Sequence, residues 1–180
     1  MPTKTTARRP FYRQGKTKVY LELLENTLAV RYKKSEKADI YAALRSLGQV
    51  RDIESQEMFI VHLHDSTDNE AALKKLQQLS EAGGIEFITP VLRDKESQLL
   101  QILTDEITVR FATTPAQEQL KSVEDKYGFT VARQNEFVPN QFIVKVARPE
   151  GLHTLNVANE LDAADEVEFA APNFISEYRR

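Results

Sequence analysis

The sequence predicts an α+β protein made of two similar β-α-β-β-α-β units, each with an antiparallel sheet and both helices on one face. The main observation is an internal repeat with an offset of about 80 residues. The matching pairs are "LAVRY" (28–32) with "ITVRF" (107–111), "FIVHL" (59–63) with "FIVKV" (142–146), and "IEFITP" (85–90) with "VEFAAP" (167–172). A repeat of this length corresponds to a small domain. The alternating apolar residues of these segments indicate strands, and helical periodicity fills the intervals between them.

Each unit follows the same order of elements. After the first strand, the helix of the second unit is expected to begin at the capping box Thr114-Pro115-Ala116-Gln117. Gly48 and Gly128 follow the two equivalent helices, where left-handed C-caps are expected. A hairpin of two strands, a second helix and a last strand complete the unit. This is the ferredoxin-like motif, and right-handed crossovers place both helices on one face of its sheet.

An apolar stretch also precedes each unit, "VYLELLENT" in the first and "LLQILTDE" in the second. It is either an additional strand or, for Leu99 to Leu103, part of a linker. The predicted organisation is a disordered basic tail (1–17), a first unit (18–94) and a second unit (95–180).

Composition narrows the classes of function. The 180 residues are 41% hydrophobic, contain no cysteine and carry a formal net charge of −3. This charge gives no general attraction to nucleic acid. No apolar run reaches membrane-spanning length, and the basic N-terminus lacks the apolar core of a signal peptide. We therefore expect a soluble, cytoplasmic protein that binds neither nucleic acid nor membranes.

Residues able to perform catalysis are scarce. There are three histidines; His62 and His64 alternate along one strand, without further metal ligands at a suitable spacing. No nucleophile-elbow, Walker or dinucleotide-binding motif is present. The sequence predicts a protein that is not an enzyme and that holds no cofactor or metal.

The motif alone selects no function, because ferredoxin-like domains have many. An RNA-recognition domain would present aromatic side chains on its open face, whereas Phe59, Phe111, Phe142 and Phe169 are predicted to face inward. A tandem sensor of small ligands, similar to ACT domains, would usually carry glycine in the first strand-to-helix loops, which read "YKKSEKA" and "FATTPAQ". Such a sensor and a general protein-interaction module are kept as alternatives.

The second unit supports a third interpretation. Its segments "PNQFIVKV", "TLNVANEL" and "VEFAAPNF" resemble the prodomain-like region ahead of the catalytic domain in bacterial subtilisin-like serine proteases. The resemblance implies an inhibitor and intramolecular folding chaperone of a subtilisin-like serine protease. Such a prodomain docks through its open sheet face and inserts its C-terminal tail into the active-site cleft. The Asp, His and Ser motifs of the catalytic domain are absent from this sequence, and the first unit is a second inhibitor, a spacer or a packing partner.

Alternation assigns the faces of the second sheet. The residues predicted to face the helices are Val109, Phe111, Phe142, Val144, Val146, Val167 and Phe169. The residues predicted to face outward, toward the protease, are Thr108, Arg110, Ile143, Lys145, Glu168 and Ala170. Their predicted counterparts in the first unit are Ile60, His62, Glu86 and Ile88. The tail predicted to enter the cleft comprises Ser176, Glu177, Tyr178, Arg179 and Arg180.

Overall fold

The structure is a computed structural model that describes residues 9–15, 17–64 and 69–177. Over these residues the chain is an α+β protein with four helices and a curled antiparallel sheet. The strands are β1 (Phe11–Gln14), β2 (Thr17–Tyr32), β3 (Gly48–Ile53), β4 (Met58–Leu63), β5 (Ile85–Asp94), β6 (Leu100–Phe111), β7 (Phe129–Gln134), β8 (Gln141–Val146) and β9 (Val167–Glu177). The helices are α1 (Lys37–Arg45), α2 (Asn69–Glu81), α3 (Gln117–Tyr127) and α4 (His153–Asp162).

The first half (18–94) and the second half (95–180) share one pattern of strand pairing. In the first half β2 lies between β4 and β5, and β3 pairs with β4. In the second half β6 lies between β8 and β9, and β7 pairs with β8. The pairing of β5 with β6 joins the two sets in one sheet.

Each half has its own core between its sheet and its helices. In the second half, Val123 of α3 and Leu161 of α4 pack on Val109 and Val144 of the sheet. In the first half, Ile40 and Leu44 of α1 and Leu76 of α2 belong to a core with Val30 and Phe59. In each half, the apolar faces of the helices are thus buried against one face of the sheet. This arrangement accounts for both periodicities in the sequence, alternating in the strands and helical between them.

Helix α3 begins two residues later than predicted from its capping box. Its N-cap is Ala116, whose N–H donates to Oε1 of Gln119 at 3.0 Å. Gly128 follows the helix with φ +69°, and its N–H donates to the carbonyl oxygen of Glu124 at 2.9 Å. The left-handed C-cap predicted at Gly128 is therefore confirmed.

The C-cap predicted at Gly48 is wrong, because the C-cap of α1 is Ser46. Gly48 is the first residue of β3 and pairs with Leu63 of β4. A Cβ at Gly48 would overlap the carbonyl oxygen of His62 and lie 2.8 Å from Cα of Leu63. Glycine is required at this position for the close approach of two backbones.

The apolar stretches that precede the two units are the first parts of β2 and β6. Each of these long strands changes register, between Leu23 and Leu28 in β2 and between Leu103 and Ile107 in β6. Ahead of these shifts, residues 21–23 pair with the end of β5, and residues 100–103 pair with the ends of β5 and β9. We call these paired ends the central strand segments. The alternative of a linker over Leu99 to Leu103 is excluded, since Leu100 to Leu103 are strand.

Part of the predicted disordered tail is a strand, since Phe11 to Gln14 pair with the start of β2. This strand also contacts the second half. The carbonyl oxygen of Phe11 accepts from Nδ2 of Asn159 at 2.7 Å, and Nε of Arg13 lies 3.4 Å from Oδ2 of Asp162. The Tyr12 ring contacts Phe174 at 5.3 Å between centroids, and burial, with Asp94 nearby, raises the pKa of the Tyr12 hydroxyl. Residues 1–8 and 16 of the predicted tail lie outside the described residues.

In the parts of the chain that the structure describes, none of the helices has the length and apolar character needed to cross a membrane.

Candidate partner-binding surface

The sheet of the second half has one face away from its helices. We call this surface the outer face of the second half and define it by Thr108, Arg110, Gln141, Ile143, Lys145, Phe169 and Ala171. Cross-strand pairing places Arg110 beside Gln141 and Phe169, and Thr108 beside Ile143 and Ala171. All of these side chains are partly or largely exposed. The structure therefore places four predicted residues, Thr108, Arg110, Ile143 and Lys145, together on one face.

The outward assignment of Ala170 is wrong, and so is the inward assignment of Phe169. Phe111 pairs with Val167 but Arg110 pairs with Phe169, so β9 contains one extra residue, Glu168. This β-bulge reverses the alternation of the residues that follow it. Ala170, at 2% exposure, consequently belongs to the core, while Phe169 lies on the outer face. Glu168 itself is exposed at the bulge.

Arg110 is held in place by its neighbours. Its Nε and Nη2 donate to Oε1 of Gln141 at 3.2 and 2.8 Å, and its Nη1 lies 3.7 Å from Oε1 of Glu168. The guanidinium carbon lies 5.0 Å from the centroid of the Phe169 ring, within the range of a cation–π contact. In the free protein these contacts already hold the planar guanidinium of Arg110 over the ring of Phe169.

A cluster of polar side chains lies beside Arg110 and Phe169 on the outer face. Thr108 Oγ1 donates to Oδ1 of Asn173 at 2.8 Å, and Nδ2 of Asn173 donates to Oε2 of Glu106 at 3.2 Å. Nζ of Lys145 lies 3.4 Å from Oδ2 of Asp105. The outer face therefore combines a small apolar centre with polar groups at its rim, the composition of many protein-binding surfaces.

The equivalent face of the first half is covered. Pairing relates Ala29 to Thr108, Met58 to Gln141, Ile60 to Ile143 and Phe87 to Phe169. The first-half residues are 0, 0, 7 and 3% exposed, respectively. They form a cluster with Val91, Leu100 and Ile102 of the central strand segments, and Ile175 packs against it. Residues of the same chain therefore cover the outer face of the first half.

Two predicted first-half counterparts need correction. Glu86 is the extra residue of a bulge in β5, since Tyr32 pairs with Ile85 and Arg31 with Phe87. Ile88 consequently packs against the helix-side core rather than facing outward. His62 is exposed on the outer side, where its Nδ1 lies 3.0 Å from Oγ1 of Thr27. His62 and Lys145 occupy equivalent positions in the two halves.

The predicted tail begins later than expected. Ser176 and Glu177 are the last residues of β9 and pair with Gln101 and Leu100 of β6, so they are not free to enter a cleft. Ser176 Oγ also donates to Oε1 of Gln101 at 2.8 Å. The remaining tail residues, Tyr178, Arg179 and Arg180, lie outside the described residues.

The other features of the described chain do not add to this surface. No group of three or more His, Asp or Glu side chains among residues 9–15, 17–64 and 69–177 is placed to hold a metal ion. A cavity of about 340 Å³ lies between the end of β6 and α3, lined by Phe111, Ser122 and Glu166 among others. Its lining contains none of the outer-face residues.

Sequence reasoning missed three residues of the outer face: Gln141, Phe169 and, beyond the same bulge, Ala171. Gln141 could have been found, because it lies two residues before Ile143 in β8 and its side chain is therefore on the same side of the sheet. Phe169 could not, because the pattern Val167-Glu168-Phe169 is that of a regular strand with both apolar side chains inward.

Comparison with known proteins gives distant relatives. No family model matches the chain. It is 26% identical over 117 residues to a calcium-dependent protease of Trichormus variabilis, and 24% identical over 122 residues to a calcium-dependent protease of a Nostoc species. These matches cover 65 and 67% of the chain but 17 and 18% of the relatives. The chain thus spans about a sixth of the length of the curated relatives it matches.

Solved structures show only a loose likeness. The small subunit of acetolactate synthase from Thermotoga maritima aligns with 86% of the chain and 95% of its own length, at 12% identity and a TM-score of 0.28. RNA recognition domains 1 and 2 of Sex-lethal from Drosophila melanogaster align with 77% of the chain and 95% of their own length, at 14% identity and a TM-score of 0.26. Superpositions of this quality carry no argument about function.

Proposed function

We propose that the chain is a non-catalytic inhibitor and folding chaperone of a subtilisin-like serine protease, built as a tandem of two ferredoxin-like units. Two findings support the proposal. Distant relatives that share about two thirds of the chain are calcium-dependent proteases. The second half, which resembles a protease prodomain in sequence, has an outer face of mixed apolar and polar side chains that is only partly covered.

The contrast between the two outer faces carries this proposal. Both halves have the same strand pairing, yet Met58 and Phe87 are buried while their equivalents Gln141 and Phe169 are accessible. Among the described residues, the second of these two outer faces is therefore the accessible one. In the proposed complex the second half binds the protease and the first half is a scaffold, which gives a stoichiometry of one to one.

Inhibition assays test the proposed function directly. The purified chain should slow the hydrolysis of a peptide substrate by mature subtilisin or by the calcium-dependent protease of Trichormus variabilis. It should also raise the yield of active enzyme when either protease is refolded from denaturant. If both assays are negative and amino acids or nucleotides raise the melting temperature of the chain, a ligand sensor explains the protein better.

Glu168 provides a specific prediction for this surface. An exposed carboxylate can bind the N-terminus of a partner helix, where a negative charge is stabilised by up to about 1 kcal/mol. The Glu168→Arg substitution replaces this attraction with repulsion and adds a second cation near Arg110, which lies 3.7 Å from Glu168. We expect the inhibition constant to rise by about tenfold or more. The matched control is Glu160→Arg, which changes an exposed residue of α4 on the helix side; equal effects of the two substitutions would exclude a helix-binding role for Glu168.

The C-terminal residues, Tyr178 to Arg180, provide a second prediction for the proposed complex. In the proposed complex Tyr178 to Arg180 lie in the active-site cleft as an added strand. Main-chain hydrogen bonds, less the cost of ordering the segment, give a net contribution of roughly 1.5 to 3 kcal/mol. Deletion of Tyr178 to Arg180 should weaken inhibition about ten- to hundredfold. The melting temperature should hardly change, because the deletion preserves the strand up to Glu177. Unchanged inhibition would rule out a product-like mode of binding.

A further inference from the structure

The two halves carry the same pair of residues in different surroundings. In the first half the guanidinium carbon of Arg31 lies 5.8 Å from the centroid of the Phe87 ring, and in the second half Arg110 lies 5.0 Å from Phe169. Each arginine also faces the glutamate of the adjacent bulge, Arg31 to Glu86 at 3.3 Å and Arg110 to Glu168 at 3.7 Å. We call these groups the first and second Arg–Phe pairs.

The first Arg–Phe pair shows what fits on such a pair. Leu100 and Ile102 of β6 are buried in the same cluster as Phe87. The same strand also supplies a carboxylate to the arginine, since Oδ1 of Asp105 lies 3.8 Å from Nη1 of Arg31. One segment thus brings apolar side chains to the ring and a carboxylate to the guanidinium.

The second Arg–Phe pair lacks both contributions. No carboxylate other than Glu168 pairs with Arg110 among the described residues, and Phe169 remains partly exposed. Gln141 stands where the first half has Met58, and its two hydrogen bonds fix the direction of the guanidinium. An arginine restrained in this way loses little side-chain entropy when it binds.

We propose that the second Arg–Phe pair is the anchor of the partner-binding surface, and that it recognises a carboxylate flanked by apolar side chains on the protease. This inference rests on the proposed function and adds the chemistry of the partner's contact. Arginine and aromatic residues are enriched among the residues that dominate binding energy at the centre of interfaces. The carboxylate takes the place that Asp105 has against Arg31, and the apolar groups take the place of Leu100 and Ile102.

Binding of the full chain to subtilisin inactivated at its catalytic serine tests this inference separately from inhibition. The Arg110→Glu variant should bind about a hundredfold more weakly than the wild-type chain, because it brings two carboxylates together in a desolvated contact. The Arg110→Lys variant should fall between the two, since it keeps the charge but loses the planar fork. The matched control Arg148→Glu changes an exposed arginine in the loop between β8 and α4 and should bind like the wild-type chain. Thermal melts of all variants check that they are folded.

The outcomes separate the two proposals. If the wild-type chain inhibits active subtilisin but Arg110→Glu binds as tightly as the wild type, the anchor is elsewhere and the proposed function stands. If the chain binds inactivated subtilisin without inhibiting the active enzyme, a loss of binding by Arg110→Glu still supports the anchor. An absence of any binding overturns both. A dimer of the free chain in sedimentation that Arg110→Glu dissociates would make a second copy the occupant, and would overturn the inference.

Discussion

Replacing Phe87 with alanine is expected to lower the free energy of unfolding by about 3 to 5 kcal/mol. The ring is 3% exposed and belongs to the cluster that joins the outer face of the first half to the central strand segments. Its loss removes apolar burial and leaves a cavity between strands that come from both halves. For a chain of this size, each kcal/mol lowers the melting temperature by about 2 to 4 °C, so thermal and denaturant melts will show the effect clearly.

Phe169→Ala is the matched control, because the two residues are equivalent in the repeat. Phe169 lies on the open face and is partly exposed, so its removal should reduce the free energy of unfolding by only about 1 kcal/mol. The same substitution should weaken binding to the proposed protease partner. Equal losses of stability at positions 87 and 169 would contradict the conclusion that one face is covered and the other open.

A second large effect is expected at Gly48. In Gly48→Ala the added Cβ would overlap the backbone of His62 and lie 2.8 Å from Cα of Leu63. Backbone atoms cannot turn away as a flexible side chain can, so β3 and β4 must separate at this point. We expect a loss of about 3 kcal/mol or more in the free energy of unfolding, measured by denaturant melts, which is at the upper end for overpacking.

Gly128→Ala separates the steric effect at Gly48 from a conformational one. Gly128 ends α3, one residue before Phe129, which is the counterpart of Gly48 in the strand pairing; it has φ +69° and no atom within 4 Å of an added Cβ. The substitution therefore costs only the strain of a left-handed alanine, about 1 to 2 kcal/mol. A loss at Gly48 no larger than that at Gly128 would contradict the steric explanation, because Gly48 does not have the positive φ of Gly128.

Local patterns were sufficient to predict the order of the elements from β2 to β9, but not strand β1. The alternation in "FIVHL" and "FIVKV" identified β4 and β8, and helical spacing identified the stretches between the strands. The internal repeat reinforced each assignment, because an ambiguous segment in one half could be compared with its equivalent. The same alternation placed Thr108, Arg110, Ile143 and Lys145 on one face, since strand geometry is regular up to the bulge.

The errors arise where the structure depends on contacts between distant residues. Gly48 and Gly128 both follow a helix, but Gly128 is a left-handed C-cap, whereas Gly48 pairs with Leu63 in the sheet and contacts the backbone of His62. The bulge at Glu168 is invisible in the pattern, because Phe169 and Ala170 could each face the core. Burial of Ile60 depends on Leu100 and Ile102, which approach it only when the sheet curls. The uninterrupted apolar run from Met58 to Val61 is a local sign that both faces of β4 are buried.

The contact between strand β1 and helix α4 constrains the order in which the chain can fold. The bond from Asn159 to the carbonyl oxygen of Phe11 spans 148 residues, and the Arg13–Asp162 ion pair and the Tyr12–Phe174 contact span similar distances. On the ribosome, synthesis proceeds from the N-terminus, so β1 emerges long before these partners exist. The N-terminal strand must therefore wait for α4 and β9 before it can complete its contacts. Contacts of such high sequence separation are slow to form. The docking of β1 onto α4 and β9, unlike its local pairing with β2, is therefore a late step in folding.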